Sequence, residues 1–243
     1  MINNFKANGF TVVRNILNNS EIKILLSEIE NIKKKFKRVE NKRYFHLTND
    51  NKFNTIHNIQ KFYKSKKLKS IIEKKKLIKI LKEILSKNLE LRNLEFFLKP
   101  KKTGMASPMH QDNFYWNLKN AKGVNVWIAL SNANRFNGGL KYLKGSHRFG
   151  TYNHTISGAK GTSQKIPNNL LSKLKFKSIT PSLKKGDCII HHCEVIHGSN
   201  SNNSMKDRVG VAISFKDKFE KVNSAKMSYY QKKLKLNLKT INN

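Results

Sequence analysis

The chain has 243 residues and a formal charge of +34, from 49 Lys and Arg against 15 Asp and Glu. That length suits one large domain better than two. No apolar run approaches the roughly 20 residues of a membrane span, and "MINNFKANGF" has no apolar h-region, so no secretory signal and a cytoplasmic location are expected.

Hydrophobic residues make up only 38% of the chain, but they cluster, so a core is expected. The two cysteines, Cys188 and Cys193, form no Cys-x-x-Cys and read as reduced structural thiols. Only seven of the basic residues are Arg, and the 42 Lys are spread among many Asn and Ile. Recognition of bases and phosphates favours the planar fork of Arg. The lysine excess therefore reads as compositional drift, with a selected basic surface as the alternative, and no specific nucleic-acid partner is expected. Either surface steers anions toward it at low salt, so an anionic substrate would suit it.

"GFTVVRNIL" is β-branched and predicts a short strand and turn. A helix follows, capped by Asn19 or Ser20, with Ile22, Leu25, Leu26, Ile29 and Ile32 in one apolar stripe. Residues 41–62 carry little signal. Ser65 to Asn88 predicts one or two basic amphipathic helices with Leu68, Ile71, Ile72, Leu77, Ile80, Leu81 and Ile84 inward. A membrane-surface helix is the alternative to a core-covering one.

After Asn88 the segments become short, β-rich and punctuated by Gly, Pro and Asn: "LELRNLEFFLKP", "GVNVWIALSNA", "GGLKYLKGSH", "GDCIIHHCEVIHG" and "RVGVAISFKD". They predict an antiparallel sandwich or barrel, interrupted by a short helix at "PNNLLSKLKF" with Pro167 in its first turn. The expected architecture is mainly β with flanking α-helices. Residues 1–90 form a helical support packed on one sheet, 91–220 the β core and 221–243 a basic tail.

The chemistry concentrates in "SPMHQDNFYW", which holds His110 and Asp112. On a strand, residues i and i+2 share a face, so imidazole and carboxylate would converge while Gln111 faces away. A lone His-x-Asp is a weak signal. Downstream, His197 ends one β-rich segment and Arg208 begins the next, with ten polar residues between them. Two His and one carboxylate form the facial triad of non-haem Fe(II) oxygenases, and an Arg on the next strand can hold a carboxylate by a bidentate contact. His191 and His192 compete with His197 for the third position, because one extended strand over "DCIIHHCEVIH" would put His191 and His197 on one face. His147 reads as a turn or cap residue, and Lys99 as a strand-end lysine or a co-substrate contact.

These motifs, together with "NGFTVVRNILNNSEIKILLSEI", "FFLKP" and "VWIALSNANRFNGGLKYLKGSH", resemble the phytanoyl-CoA dioxygenase-like family of Fe(II)/2-oxoglutarate oxygenases over nearly the whole chain. The ectoine hydroxylase branch shares the distal spacing. The resemblance implies a double-stranded β-helix, or jelly roll. It implies iron ligands at His110, Asp112 and His197, and co-substrate contacts at Arg208, Ser199 and Trp127. Arg208 stands eleven positions after His197, the family offset. The implied cofactors are Fe(II), 2-oxoglutarate and O2, with succinate and CO2 as products beside a hydroxylated small molecule. Gln111, Asn113, Phe114, Tyr115 and Trp116 are candidate substrate contacts. A halogenase would replace the carboxylate ligand with Ala or Gly, and Asp112 is intact. Nucleic-acid demethylases of this type carry a second Arg six residues after the first, where this chain has Ser214. Another macromolecule oxygenase and a non-catalytic cupin-like binding protein are the remaining alternatives. Substrate identity and oligomeric state are not encoded in any motif.

Overall fold

The computed structural model describes residues 1–35 and 44–242. The N-terminal third is helices and strands interleaved: α1 (Ile2–Asn8), β1 (Phe10–Val13), α2 (Asn19–Lys35), β2 (Phe45–Leu47), β3 (Phe53–Ile56), α3 (Lys66–Ile72) and α4 (Lys75–Ile84). The core follows as β4 (Leu89–Lys99), β5 (Ser107–His110), α5 (Asp112–Trp116), β6 (Gly123–Ala129), β7 (Leu140–Leu143), β8 (Thr155–Ala159) and β9 (Thr162–Lys165). It closes with α6 (Asn168–Leu171), β10 (Ser178–Ile179), β11 (Cys188–His192), β12 (His197–Ser199), β13 (Arg208–Asp217) and α7 (Ser224–Asn242).

Two antiparallel sheets face each other. The major sheet has the order β1-β11-β6-β13-β4-β3-β2, the minor one β10-β7-β12-β5, and β8 and β9 form a separate hairpin. From β4 through β7, and again from β10 through β13, the chain alternates between the two sheets. That winding is a double-stranded β-helix, as the resemblance implied.

The outer face of the major sheet presents Leu94, Phe96 and Leu98 from β4, Val124, Val126 and Ile128 from β6, and Val211 and Ile213 from β13. Ile22, Leu25, Ile29 and Ile32 of α2 cover it together with Leu68, Ile71, Leu77, Ile80 and Leu81 of α3 and α4. Burying each such side chain contributes about 1.5–3 kcal/mol, which holds the helices against the sheet. The apolar faces of α3 and α4 are thus spent on the core, as the core-covering reading of these helices requires.

Four expectations need correction. The cap of α2 is Asn18, whose Oδ1 accepts from the Glu21 backbone N–H while Glu21 Oε2 accepts from the Asn18 N–H. This capping box sits one residue earlier than Asn19. Residues 41–62 contain β2 and β3, short strands that extend the major sheet beyond β4 (positions 41–43 lie outside the described residues). Residues 1–90 therefore donate strands as well as helices. Lastly, 221–243 is no plain tail, because α7 packs on β8, β9 and α5. Among the described residues, no helix is long and apolar enough to cross a membrane.

Candidate metal and co-substrate site

His110 ends β5 and Asp112 begins α5, so the pair converges through a strand-to-helix turn and not along one strand. His197 starts β12, directly opposite His110 in the antiparallel register. Gly198 permits this approach, since a Cβ there would stand 2.7 Å from the Ser107 carbonyl oxygen. "DCIIHHCEVIH" is not one strand. It breaks after His192 into a turn, and β11 and β12 belong to different sheets.

One ligand atom from each of His110, Asp112 and His197 lies within 4.8 Å of the others. The Nε2 atoms of His110 and His197 stand 3.9 and 3.8 Å from Asp112 Oδ1. Each imidazole is oriented from behind. His110 Nδ1 bonds the Pro108 carbonyl at 2.7 Å and His197 Nδ1 the Val195 carbonyl at 3.0 Å. Carbonyls only accept, so Nδ1 carries the proton and the Nε2 lone pair is free for a metal. The other oxygen of Asp112 is held by His191 Nε2 at 3.1 Å and Asn125 Nδ2 at 3.2 Å, which leaves Oδ1 facing inward. Tyr142 in turn meets His191 Nδ1 at 2.9 Å.

The protonation states suit a cation. Burial and the neighbouring His197 push His110 down to about 4, against Asp112 and the Pro108 hydrogen bond. Burial and His191 do the same to His197, also to about 4. For Asp112, burial works upward, but His197, His191 and His110 hold its carboxyl well below the usual carboxylate range. The site thus offers two neutral imidazoles and one carboxylate, the donor set of Fe(II).

A second set of polar groups lies mainly on the inner face of the major sheet. Arg208 is 1% exposed, opposite Lys99 across β13 and β4. Its Nη2 donates to the Gly138 carbonyl at 2.9 Å, whereas Nε and Nη1 are buried and have no partner among the described residues. The guanidinium lies 5.1 Å from the Trp127 ring centroid, and Trp127 Nε1 is also unpartnered. Gly210 makes room for that indole, because a Cβ there would come within 2.1 Å of it. Lys99 Nζ donates to Ser199 Oγ at 2.7 Å and to the Asn200 carbonyl at 2.5 Å. Burial lowers Arg208 to about 9; burial and then the Arg208 charge lower Lys99 well below its ordinary value. Among the described residues no carboxylate forms a salt bridge with either cation. Two buried basic groups beside an indole N–H unpartnered among the described residues are a strained arrangement until an anion with several acceptor oxygens enters. The residues fit a dicarboxylate such as 2-oxoglutarate.

The aromatic run divides. Gln111 is fully buried, its Nε2 donating to the Gly150 and Glu194 carbonyls and its Oε1 accepting from the Tyr152 N–H. Asn113 bonds Leu118, Thr151 and Glu194. Trp116 packs with Leu118, Ala121 and Cys193. These three are tied into the scaffold. Phe114 stacks on His154 at 4.2 Å, and Tyr115 stands edge-on to His110 at 5.7 Å, so Tyr115 is the aromatic that meets the metal site. His147 sits in a 3-10 turn, its Nε2 bonded to the Lys6 carbonyl, away from the triad. Asn125 and Tyr142 were not foreseen. His191 was foreseen only as a rival ligand, and it serves behind Asp112.

Comparison with known proteins gives relatives of the same fold. The bovine peroxisomal phytanoyl-CoA dioxygenase is 23% identical over 227 residues, covering 88% of this chain. An Arabidopsis thaliana phytanoyl-CoA dioxygenase is 31% identical over 118 residues, 49% of this chain. The chain spans 66% of the bovine relative's length and 41% of the Arabidopsis one. The S. alaskensis EctD structure with 2-oxoglutarate and 5-hydroxyectoine superposes at a TM-score of 0.75 and 18% identity, covering 91% of this chain and 77% of that one. The carbocyclase SnoK from nogalamycin biosynthesis gives 0.74 at 17% identity, covering 91% and 85%. The model of the phytanoyl-CoA dioxygenase (PhyH) family matches residues 5–210, and the chain belongs to that family.

Proposed function

We propose that the chain is an Fe(II)- and 2-oxoglutarate-dependent dioxygenase that hydroxylates a small molecule and releases succinate and CO2. The observation that carries this reading is the pairing of two unsatisfied sets in the interior between the two sheets. The triad, from β5, α5 and β12, brings three metal-binding atoms together, and Arg208 and Trp127 of the major sheet hold buried N–H groups that no group among the described residues accepts. A metal-binding jelly roll without a co-substrate has no use for the second set.

His110 Nε2, His197 Nε2 and Asp112 Oδ1 would hold the iron. With 2-oxoglutarate and O2, bound iron supplies the oxidising power for hydroxylation. The protein's own share is positioning and exclusion of water. Arg208 pairs with the co-substrate carboxylate remote from the iron, and Ser199, itself held by Lys99, stands ready beside it. Trp127 walls the pocket under the guanidinium. His191 and Asn125 keep Asp112 from rotating or taking up a proton.

Supplying the purified protein with Fe(II), 2-oxoglutarate and O2 tests the reaction class. The expected result is slow iron-dependent succinate release without added substrate, abolished by Asp112→Ala. Absence of iron-dependent succinate release would contradict the reading.

A further inference from the structure

Two charged residues of β4, Arg92 and Glu95, hold neither iron nor co-substrate. Glu95 is opposite Ala212 of β13, which is itself opposite Trp127 of β6. It therefore shares the inner face with Trp127 and looks across the small Ala212. Its Oε1 is bonded to His57 Nδ1 at 2.8 Å. Its second oxygen takes no hydrogen bond from the described residues. His57 is braced on both sides. Burial opposes its charge, but Glu95 and a backbone hydrogen bond at Gly161, in the β8–β9 turn, raise it above its ordinary value. His46 lies edge-on to His57 at 5.0 Å, and burial, His57 and Lys160 push it down to about 3. The carboxylate is thus fixed from behind by one imidazole.

Arg92 is the extra residue of a bulge. Asn93 pairs with Ser214 and Leu91 with Phe215, so position 92 has no partner and its side chain is re-aimed. The guanidinium lies 4.7 Å over the Trp116 ring. Burial lowers it to about 10, opposed by Glu95, Asp112, Tyr230 and Cys193. No salt bridge holds it among the described residues. Tyr115, edge-on to His110, is pinned by Gln164, whose carbonyl and N–H both meet its hydroxyl. The Gln164 side-chain amide is fully buried with neither atom partnered.

We propose that Arg92 and Glu95 select a small zwitterionic substrate of the amino-acid class, its carboxylate toward Arg92 and its ammonium toward Glu95. An acyl chain along this wall would leave Arg92 desolvated without a carboxylate and the second oxygen of Glu95 without a donor. A simple anion would satisfy Arg92 and still leave that oxygen of Glu95 without a donor. A zwitterion satisfies both, and each charge gains a hydrogen-bonded partner. The inference rests on the dioxygenase reading, and the test separates the two.

Anaerobic protein loaded with Fe(II) and 2-oxoglutarate is titrated with the twenty common amino acids, their N-acetyl and methyl-ester derivatives, simple amines, simple carboxylic acids and palmitoyl-CoA. Perturbation of the metal-to-ligand charge-transfer band is recorded, and then succinate release in air. At least one free amino acid should perturb the band and stimulate succinate release. Its N-acetyl and ester derivatives should need at least tenfold more for the same effect. Glu95→Gln and Arg92→Gln should each raise the half-effect concentration at least tenfold and leave the 2-oxoglutarate titration within twofold. The proposal is overturned if no amino acid responds, if palmitoyl-CoA or a simple acid is the better effector, or if both variants titrate like the parent. Absence of the charge-transfer band itself would sink the dioxygenase reading, and this inference with it.

Discussion

The two faces of the major sheet are built from the same strands and could hardly differ more. On β4, β6 and β13 the outward residues are Leu94, Phe96, Val124, Val126, Ile128, Val211 and Ile213, all packed under the helices. The inward residues of the same strands include Glu95, Lys99, Asn125, Trp127, Arg208 and Ser214. The outer face is complete once water is excluded. The inner face is not, for Arg208, Trp127 and Asn125 keep buried polar atoms without partners. Strand alternation thus separates stability from function by residue parity. The inner face carries a desolvation cost that the outer face offsets and that ligands relieve.

Breaking the polar interior, which the inner face shares with β5, α5 and β12, should leave the fold and remove the chemistry. Asp112→Ala is expected to weaken Fe(II) binding by more than about a hundredfold, since losing a supporting residue alone costs 10–100-fold. Its circular dichroism should match the parent. Breaking the outer face should do the reverse. Ile213→Ala is expected to cost about 2–5 kcal/mol in denaturant unfolding, with 2-oxoglutarate binding by the folded protein unchanged. A variant that lost both together would show that the faces are coupled.

A finer cut lies behind the metal ligands. His191→Gln keeps a polar side chain but cannot reproduce the bridge from Tyr142 to Asp112. It should weaken Fe(II) binding by about 10–100-fold with little loss of stability. Fe(II) titration against a competing chelator measures this, and parent-like affinity would make His191 a passive core residue.

The smallest expected effect is electrostatic. The folded-state pKa of His57 is raised, so its contribution to stability is fully present below its unfolded value near 6.5 and fades as pH rises through the folded value. The stability gap between the parent and His57→Gln should therefore shrink on going from pH 6 to pH 9. A gap that widened would mean that His57 is buried neutral.

How much of this was legible follows from the range of each signal. The grouping of His110, Asp112 and His197, and the place of Arg208, were legible because the family motif sets residue types at fixed offsets. The short strands after Asn88 pointed to an antiparallel sandwich or barrel, and the family resemblance made it a jelly roll. Parity within β6 was not, because all its residues from Gly123 to Ala129 are buried and the pattern shows no polar alternation. The strands β2 and β3 were missed because each has only three or four residues at one end of the sheet. His57 and Glu95 are 38 positions apart, and no spacing rule joins them. The helix α7 was hidden by a sequence with no clean apolar stripe. The scaffold hydrogen bonds of Gln111 and Asn113 were not legible, because proximity to a ligand in sequence says nothing of which way an amide points.

The central claim is that the interior between the two sheets is a site for iron and 2-oxoglutarate together. It is tested most directly by titrating 2-oxoglutarate into the anaerobic Fe(II) protein and its Arg208→Ala variant, following the charge-transfer band. The parent should develop the band. The variant should bind Fe(II) as well as the parent but need at least tenfold more 2-oxoglutarate, because losing a hydrogen-bonded charge partner costs on the order of 2–5 kcal/mol. Arg208→Lys should recover only part of that, lacking the fork. Equal 2-oxoglutarate binding by parent and alanine variant would contradict the account and make Arg208 a structural residue.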